Sequence, residues 1–204
     1  LLITFDSLRA YILASKKHDK ELKHLAALRN ESLDFTMARA PGSQTVYTLA
    51  ELFMGKYFSQ QYWTNTKEFK GVFPFEDTTP RFPQLLTEAG IPTLNLATTG
   101  WLVNGAGIAN GFADDRFVTP VSTRYTLSAQ TFPVLIERLG TVGDGPFFAY
   151  THMLDAHYTI SPLAKKSPAK KRYTANLKLV DDSIGQLLEA IDRLGIADRT
   201  TLII

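Results

Sequence analysis

The sequence predicts a three-layer α/β protein, a mainly parallel sheet flanked by helices. Three observations carry the prediction. Apolar runs of strand length alternate with amphipathic stretches of helical period. The first of those runs, residues 1–5, lacks the polar alternation of a wet sheet face, as a strand buried on both faces does. The length, 204 residues, suits one sizeable α/β domain and is short for two.

Taken in order, residues 1–5 (LLITF) form an apolar run with β-branched and aromatic members, read as a buried parallel strand. Asp6 follows at its carboxyl end, the edge at which open α/β sheets bind ligands. Residues 7–13 read as a short helical turn, and residues 19–30 as an amphipathic helix with Leu22, Leu25, Ala26 and Leu28 apolar. Residues 33–40 read as strand or extended chain, broken by Pro41-Gly42-Ser43, and residues 45–56 as a helix with Val46, Leu49, Ala50 and Phe53 on one face. Residues 60–82 are aromatic-rich and read as an irregular surface excursion. A helix over 83–89 ends at Gly90, a left-handed C-cap. A strand over 92–98 precedes a Gly- and Asn-rich loop over 99–120, and 128–139 is helical up to Gly140. Residues 146–153 (PFFAYTHM) form the next strand, ending near Asp155 and His157; 161–172 is a Lys/Pro loop. The strongest helical pattern covers 173–194, where Leu177, Val180, Ile184, Leu187, Leu188, Ile191 and Leu194 keep a 3–4 spacing up to Gly195. A final strand covers 200–204; because the chain opens and closes inside strands, it reads as a piece of a longer protein.

Composition excludes some functions. A net charge of +2 implies neither nucleic acid nor a charged membrane surface as partner. With no cysteine there are no disulfides and no thiolate zinc sites. No apolar run reaches the ~18 residues of a membrane span, and no signal peptide is visible.

Three groups collect at the carboxyl edges of the predicted strands: Asp6 after the first, Thr45 opening the helix after 33–40, and Asp155 with His157 after 146–153. A hard carboxylate, a hydroxyl at a helix N-terminus and an imidazole suit attack on a phosphate or sulfate ester, the helix N-terminus offering N–H groups to an oxyanion. A metal held by Asp6 lowers the pKa of the hydroxyl and polarises the ester. Each residue has a plainer reading beside this one. Asp6 caps the next turn, Thr45 or Ser43 caps the helix, Asp155 is a turn residue, His157 is a loop histidine. His18 and His24 read as solvated, and His152, within a strand, as a satisfied core histidine or one that supports a ligand from behind, rather than a ligand itself. Gly105-Ala106-Gly107 with Gly111 has the wrong spacing for a phosphate loop. The basic cluster Lys165, Lys166, Lys170, Lys171, Arg172 reads as a solvated loop that steers anions at most.

Six stretches, in order and over nearly the whole chain, resemble the sulfatase family of the alkaline phosphatase superfamily. They are LLITFDSLRA, ESLDFTMARAPGSQTVYTLAELFMGKY, LLTEAGIPTLNLAT, GFADDRFV, PFFAYTHMLDAHYTI and LVDDSIGQLLEAIDRLGIADRTTLII. The resemblance implies one alkaline phosphatase-like domain over 1–204 with its C-terminal part missing. It implies that Asp6 is a metal ligand and that Thr45, counted back from Gly55, holds the nucleophile position and shares the metal. It places His157 at the histidine that contacts the transferred group. The implied cofactor is a divalent metal: calcium, or zinc or manganese. The implied function is metal-dependent hydrolysis of sulfate or phosphate esters through a covalent hydroxyl-ester intermediate. The substrate is a small-molecule, lipid or glycan ester, and the parent protein is periplasmic, extracellular or membrane-anchored.

The departures open alternatives. Main-line sulfatases place a Cys or Ser, oxidised to formylglycine, before x-Pro-Ser-Arg; here the stretch is Thr45-Val46-Tyr47-Thr48-Leu49. Threonine cannot become formylglycine. Ser7 stands where the second carboxylate is expected and Thr98 at the lysine position. A threonine nucleophile is typical of relatives that handle phosphate, such as phosphoethanolamine transferases, lipoteichoic acid synthases and nucleotide phosphodiesterases. A transferase or phosphodiesterase is therefore one alternative, and a degenerate binding or scaffold protein another. The family's Asp-His-Gly metal motif belongs directly after Ile204, so residues 1–204 alone are expected to be inactive.

Overall fold

The computed structural model describes residues 1–65, 67–121, 125–157 and 166–204. The described elements run β1 (Leu2–Phe5), α1 (Ala10–Ala14), α2 (Lys23–Asn30), α3 (Thr45–Met54), β2 (Thr64–Asn65), β3 (Val72–Phe73), α4 (Phe82–Glu88), β4 (Thr93–Ala97), β5 (Asp114–Phe117), α5 (Ser128–Leu139), β6 (Phe148–Met153) and α6 (Ala169–Arg193). A four-stranded sheet has the order β1-β6-β4-β5, and β4 pairs in parallel with both β5 and β6. The non-consecutive neighbours require helical crossovers, as parallel strands do. β2 and β3 form a separate antiparallel pair, Thr64 opposite Phe73.

The chain divides into two compact units, Leu1–Leu2 with Arg39–Val118 and Val142–Thr151, and Ile3–Ala38 with Thr119–Thr141 and His152–Ile204. In the first, every residue of β4 is buried, the polar Thr93 and Asn95 included, as in a strand covered on both faces. Phe53 of α3, 1% exposed, centres the core: its ring meets Phe82, Phe112 and Tyr150 at centroid distances of 5.5, 6.0 and 4.9 Å. The buried Arg81 guanidinium donates to the carbonyls of Pro74, Asp77, Thr79 and Gly107. This explains the glycine-rich stretch without a ligand. A Cβ at Gly107 would lie 2.3 Å from the Pro74 carbonyl oxygen, and one at Gly111 2.3 Å from Gln84.

In the second unit, α2 and α5 both pack on α6, the longest helix. Leu177, Val180, Ile184, Leu187 and Ile191 line its buried face at 3–4 spacing, Leu188 is half-buried, and Leu194, just past the helix end, is exposed rather than part of that face. Neither α2 nor α5 is capped within itself by its N-cap residue's side chain in the usual Ser/Thr/Asp/Asn manner, and a buried aspartate from elsewhere serves each. Asp181 accepts the N–H groups of His24 (3.2 Å) and Leu25 (2.8 Å) of α2. Asp155 accepts the Ser128 N–H at the start of α5, at 3.0 and 2.9 Å to its two oxygens.

Some expectations need correction. Residues 33–40 form no strand; they are irregular, with one turn closed by Ala38 N–H to Phe35 C=O. The aromatic stretch 60–82 contains the β2–β3 pair, and Phe73 is buried. The loop 99–120 contains β5, whose Asp115 side chain accepts from Asn95 of β4 at 2.7 Å. The final strand is reduced to a single bridge, Ile3 N–H to Ile203 C=O, 2.9 Å. β1 itself is only part-buried apart from Ile3, because it closes one side of the four-stranded sheet. Of the predicted Lys/Pro loop, 161–165 lie outside the described residues, and α6 begins at Ala169.

Candidate functional site

Asp6 is the first residue past β1, and its N–H donates to the Met153 carbonyl at 2.8 Å, fixing it beside the end of β6. His152, one residue back on β6, is 2% exposed, and its Nδ1 lies 2.7 Å from Thr4 Oγ1. Burial pushes its pKa down to about 4, against the opposing pull of the Asp6 charge. At neutral pH the buried His152 imidazole is therefore uncharged.

Ser7 has φ +61°, the only positive φ at a non-glycine residue among the described residues. That conformation costs roughly 1–2 kcal/mol and persists only where surroundings enforce it. The Ser7 hydroxyl donates to Asp6 Oδ1 at 2.7 Å. Tyr173 of α6 grips the same turn: its hydroxyl donates to the Ser7 carbonyl (3.1 Å) and accepts the Arg9 N–H (3.0 Å). The Arg9 guanidinium lies over the Tyr173 ring, 5.1 Å from its centroid. Burial raises the pKa of Tyr173, so the hydroxyl keeps its proton at neutral pH.

His157 follows β6 by four residues and is half-buried. Its N–H donates to the Leu154 carbonyl at 2.9 Å, its carbonyl accepts Asn176 Nδ2 at 3.2 Å, and its ring lies 6.4 Å from that of Tyr125. Asp155, 3% exposed, is more than a turn residue. Besides capping α5 it accepts the Ser128 hydroxyl at 2.6 Å, and burial raises its pKa.

Thr45 is the first residue inside α3; the capping position is Gln44, whose side chain makes no cap. The Thr48 hydroxyl closes the same end by donating to the Gly42 carbonyl at 3.1 Å. The hydroxyl of Thr45 therefore stands in the first turn of a ten-residue helix, where N–H groups and the helix dipole favour negative charge. Thr45 belongs to the first unit, Asp6 and His157 to the second.

The Asp6 carboxylate and the Thr45 hydroxyl are each hard oxygen donors of the kind that calcium, manganese or zinc takes. Another group, His24, Asp181 and Asp182, brings its ligand atoms within 4.8 Å of one another. The Asp181 oxygens already receive two N–H groups of α2, so this arrangement is accounted for as a helix cap. His24 is half-buried rather than solvated: its ring occupies the space beside Gly185, where a Cβ would lie 2.5 Å away. Sequence reasoning weighed His152 as a core or supporting histidine and noted Ser7 where an acid was expected, but it missed the strain at Ser7 and the part of Tyr173.

Comparisons with known proteins add the family. The Sulfatase family model matches residues 1–204. No curated protein is matched in sequence. Among solved structures, the chain is similar to the lipoteichoic acid synthase LtaP from Listeria monocytogenes, with TM-score 0.70, 16% identity, and coverage of 98% of this chain and 53% of that one. It is also similar to the C-terminal periplasmic domain of the phosphoethanolamine transferase EptC from Campylobacter jejuni (0.64, 13%, 95% and 63%). A third is an alkaline phosphatase-superfamily protein from Vibrio parahaemolyticus (0.59, 15%, 94% and 50%). The chain thus spans 50–63% of the length of these three. At such identities they show the fold, an alkaline phosphatase-like mainly parallel sheet flanked by helices, and the match of the family model over the full 204 residues shows that this chain belongs to the sulfatase family.

Proposed function

We propose that the protein is a metal-dependent hydrolase of sulfate or phosphate esters. The single observation that carries this reading is the Asp6 turn: a carboxylate beside a neutral buried imidazole, at the end of a sheet strand, held by a backbone conformation that is otherwise unfavourable. Asp6 and Thr45 are the residues that would hold a cation, which would supply Lewis acidity when bound. Thr45 Oγ, at the N-terminus of α3, attacks the sulfur or phosphorus and passes its proton to solvent water; a covalent Thr45 ester forms as the substrate's O–S or O–P bond breaks and its alkoxide departs. His157 gives a proton to the departing alkoxide. Water then attacks the Thr45 ester, releasing sulfate or phosphate and restoring the hydroxyl.

A second reading is transfer of the group to an acceptor alcohol rather than water. The threonine at position 45 supports it, as do the structural neighbours, two of which are named as a synthase and a transferase. On either reading the substrate is a small-molecule, lipid or glycan ester, and the protein works in the periplasm or outside the cell, as the EptC domain's periplasmic name supports. No helix among the described residues is long and apolar enough to cross a membrane.

The test is a substrate screen on the intact protein with aryl sulfate, aryl phosphate and a phosphodiester, each with and without an acceptor alcohol, after loading with calcium, manganese or zinc. Metal-dependent release of the aryl alcohol supports the hydrolase. Release that requires the acceptor supports the transferase. No turnover and no bound divalent metal by elemental analysis leaves a binding or scaffold role.

A further inference from the structure

We infer that Tyr173 is a positioning residue for Asp6, setting the direction of its carboxylate through the turn that follows β1. The inference rests on the reading of Asp6 as a metal ligand. A serine at φ +61°, as Ser7 is, relaxes to the right-handed or extended region unless neighbouring groups hold it. Asp6 lies directly before it, so rotation of the Ser7 backbone swings the Asp6 carbonyl and moves the Ser7 hydroxyl away from Oδ1.

Two anchors oppose that rotation. On the sheet side, the Asp6 N–H is bonded to Met153 of β6. On the helix side, one oxygen of Tyr173 bonds both flanks of the turn, as donor to the Ser7 carbonyl and acceptor from the Arg9 N–H. The tyrosine is 9% exposed and comes from α6, so the anchor sits on a rigid element of 25 residues. Its ring packs under Arg9, but only the hydroxyl reaches the backbone of the turn. Groups that orient a ligating side chain in this way typically change metal affinity about 10–100-fold when lost.

The test titrates the intact protein with Mn²⁺ or Zn²⁺ by calorimetry, comparing parent, Tyr173→Phe, Tyr11→Phe and Asp6→Asn. Tyr173→Phe keeps the ring and removes the hydroxyl; it is expected to weaken metal binding about tenfold. The Tyr11 hydroxyl touches the Arg9 side chain and not the turn's backbone. Its removal is expected to leave affinity within about twofold, below what an orienting contact commands. Asp6→Asn is expected to abolish binding. If Asp6→Asn binds like the parent, the ligand reading falls and this inference with it. If Asp6→Asn loses binding while Tyr173→Phe does not, the ligand reading stands and the positioning role is overturned, even if the melting temperature drops. Hydrogen exchange in the parent supplies a check independent of any variant's folding. The Arg9 amide exchanges slowly if bonded to Tyr173, and exchange at an open-loop rate contradicts the anchor.

Discussion

Replacing Asp155 with alanine should destabilise the protein by about 3 kcal/mol, and the structure shows where that figure comes from. Both carboxylate oxygens receive the Ser128 N–H, and Oδ1 also receives the Ser128 hydroxyl at 2.6 Å. Loss of a cap costs about 1 kcal/mol. The buried N–H at the start of α5, left without an acceptor, costs about 1–3 kcal/mol more. The Ser128 hydroxyl is spared, because Ser183 Oγ lies 2.9 Å away. Removing a carboxylate whose pKa burial has raised returns part of its desolvation cost, which holds the total near 3 rather than 4 kcal/mol. Asp155→Asn keeps an acceptor of the same shape and should cost about 1 kcal/mol or less. Urea unfolding followed by far-UV circular dichroism measures both. In melting temperature, the alanine variant should fall by roughly 6–12 °C. An alanine variant within about 0.5 kcal/mol of the parent, the range of ordinary surface substitutions, would refute the capping role. So would an asparagine variant as damaged as the alanine one.

Two further outcomes follow from the second unit. Gly185→Ala should cost about 1–3 kcal/mol, because the new Cβ meets the His24 ring. In a His24→Ala background the same change should be neutral or stabilising, since alanine is the better helix former; equal cost in both backgrounds would deny the contact. His152 gives the pH dependence of the metal-free protein. Its folded pKa of about 4 lies below the unfolded value of 6.5, so the unfolded chain takes up a proton first as pH falls. The stability it contributes is complete above about 6.5 and is lost as pH drops toward 4, by up to about 3 kcal/mol. His152→Gln, studied in EDTA, should flatten the stability curve over that window; an unchanged slope would show that the imidazole titrates normally.

How far the sequence could be read depended on how local the physics was. The face of α6 was legible because Val180, Ile184, Leu187 and Ile191 obey helical spacing whatever they pack on, and β4 because a short, largely apolar segment starts just after Gly90 and Pro92. β5 was not, since Asp114-Asp115-Arg116-Phe117 looks like loop until Asp115 is seen bonded to Asn95 across the ladder. Residues 33–40 carried a strand-like pattern, Leu33, Phe35 and Met37 alternating, but these side chains remain exposed and no partner strand pairs with them among the described residues. At the candidate site, Asp6 and His157 were proposed from residue type and their place after strands, and Thr45 from its place opening α3, since the strand expected before it is absent. The groups around them were not. Tyr173 meets Ser7 across 166 positions and Asp155 meets Ser128 across 27, and no local pattern encodes such pairings.

The sharpest measurement is intact-mass spectrometry of the metal-loaded protein, quenched during turnover of an aryl sulfate or aryl phosphate and followed by peptide mapping. A sulfuryl or phosphoryl adduct on the peptide carrying Thr45, lost together with turnover in Thr45→Ala, is the predicted result. Full turnover by Thr45→Ala, or an adduct mapped to a different residue, would contradict the assignment of Thr45 as the nucleophile.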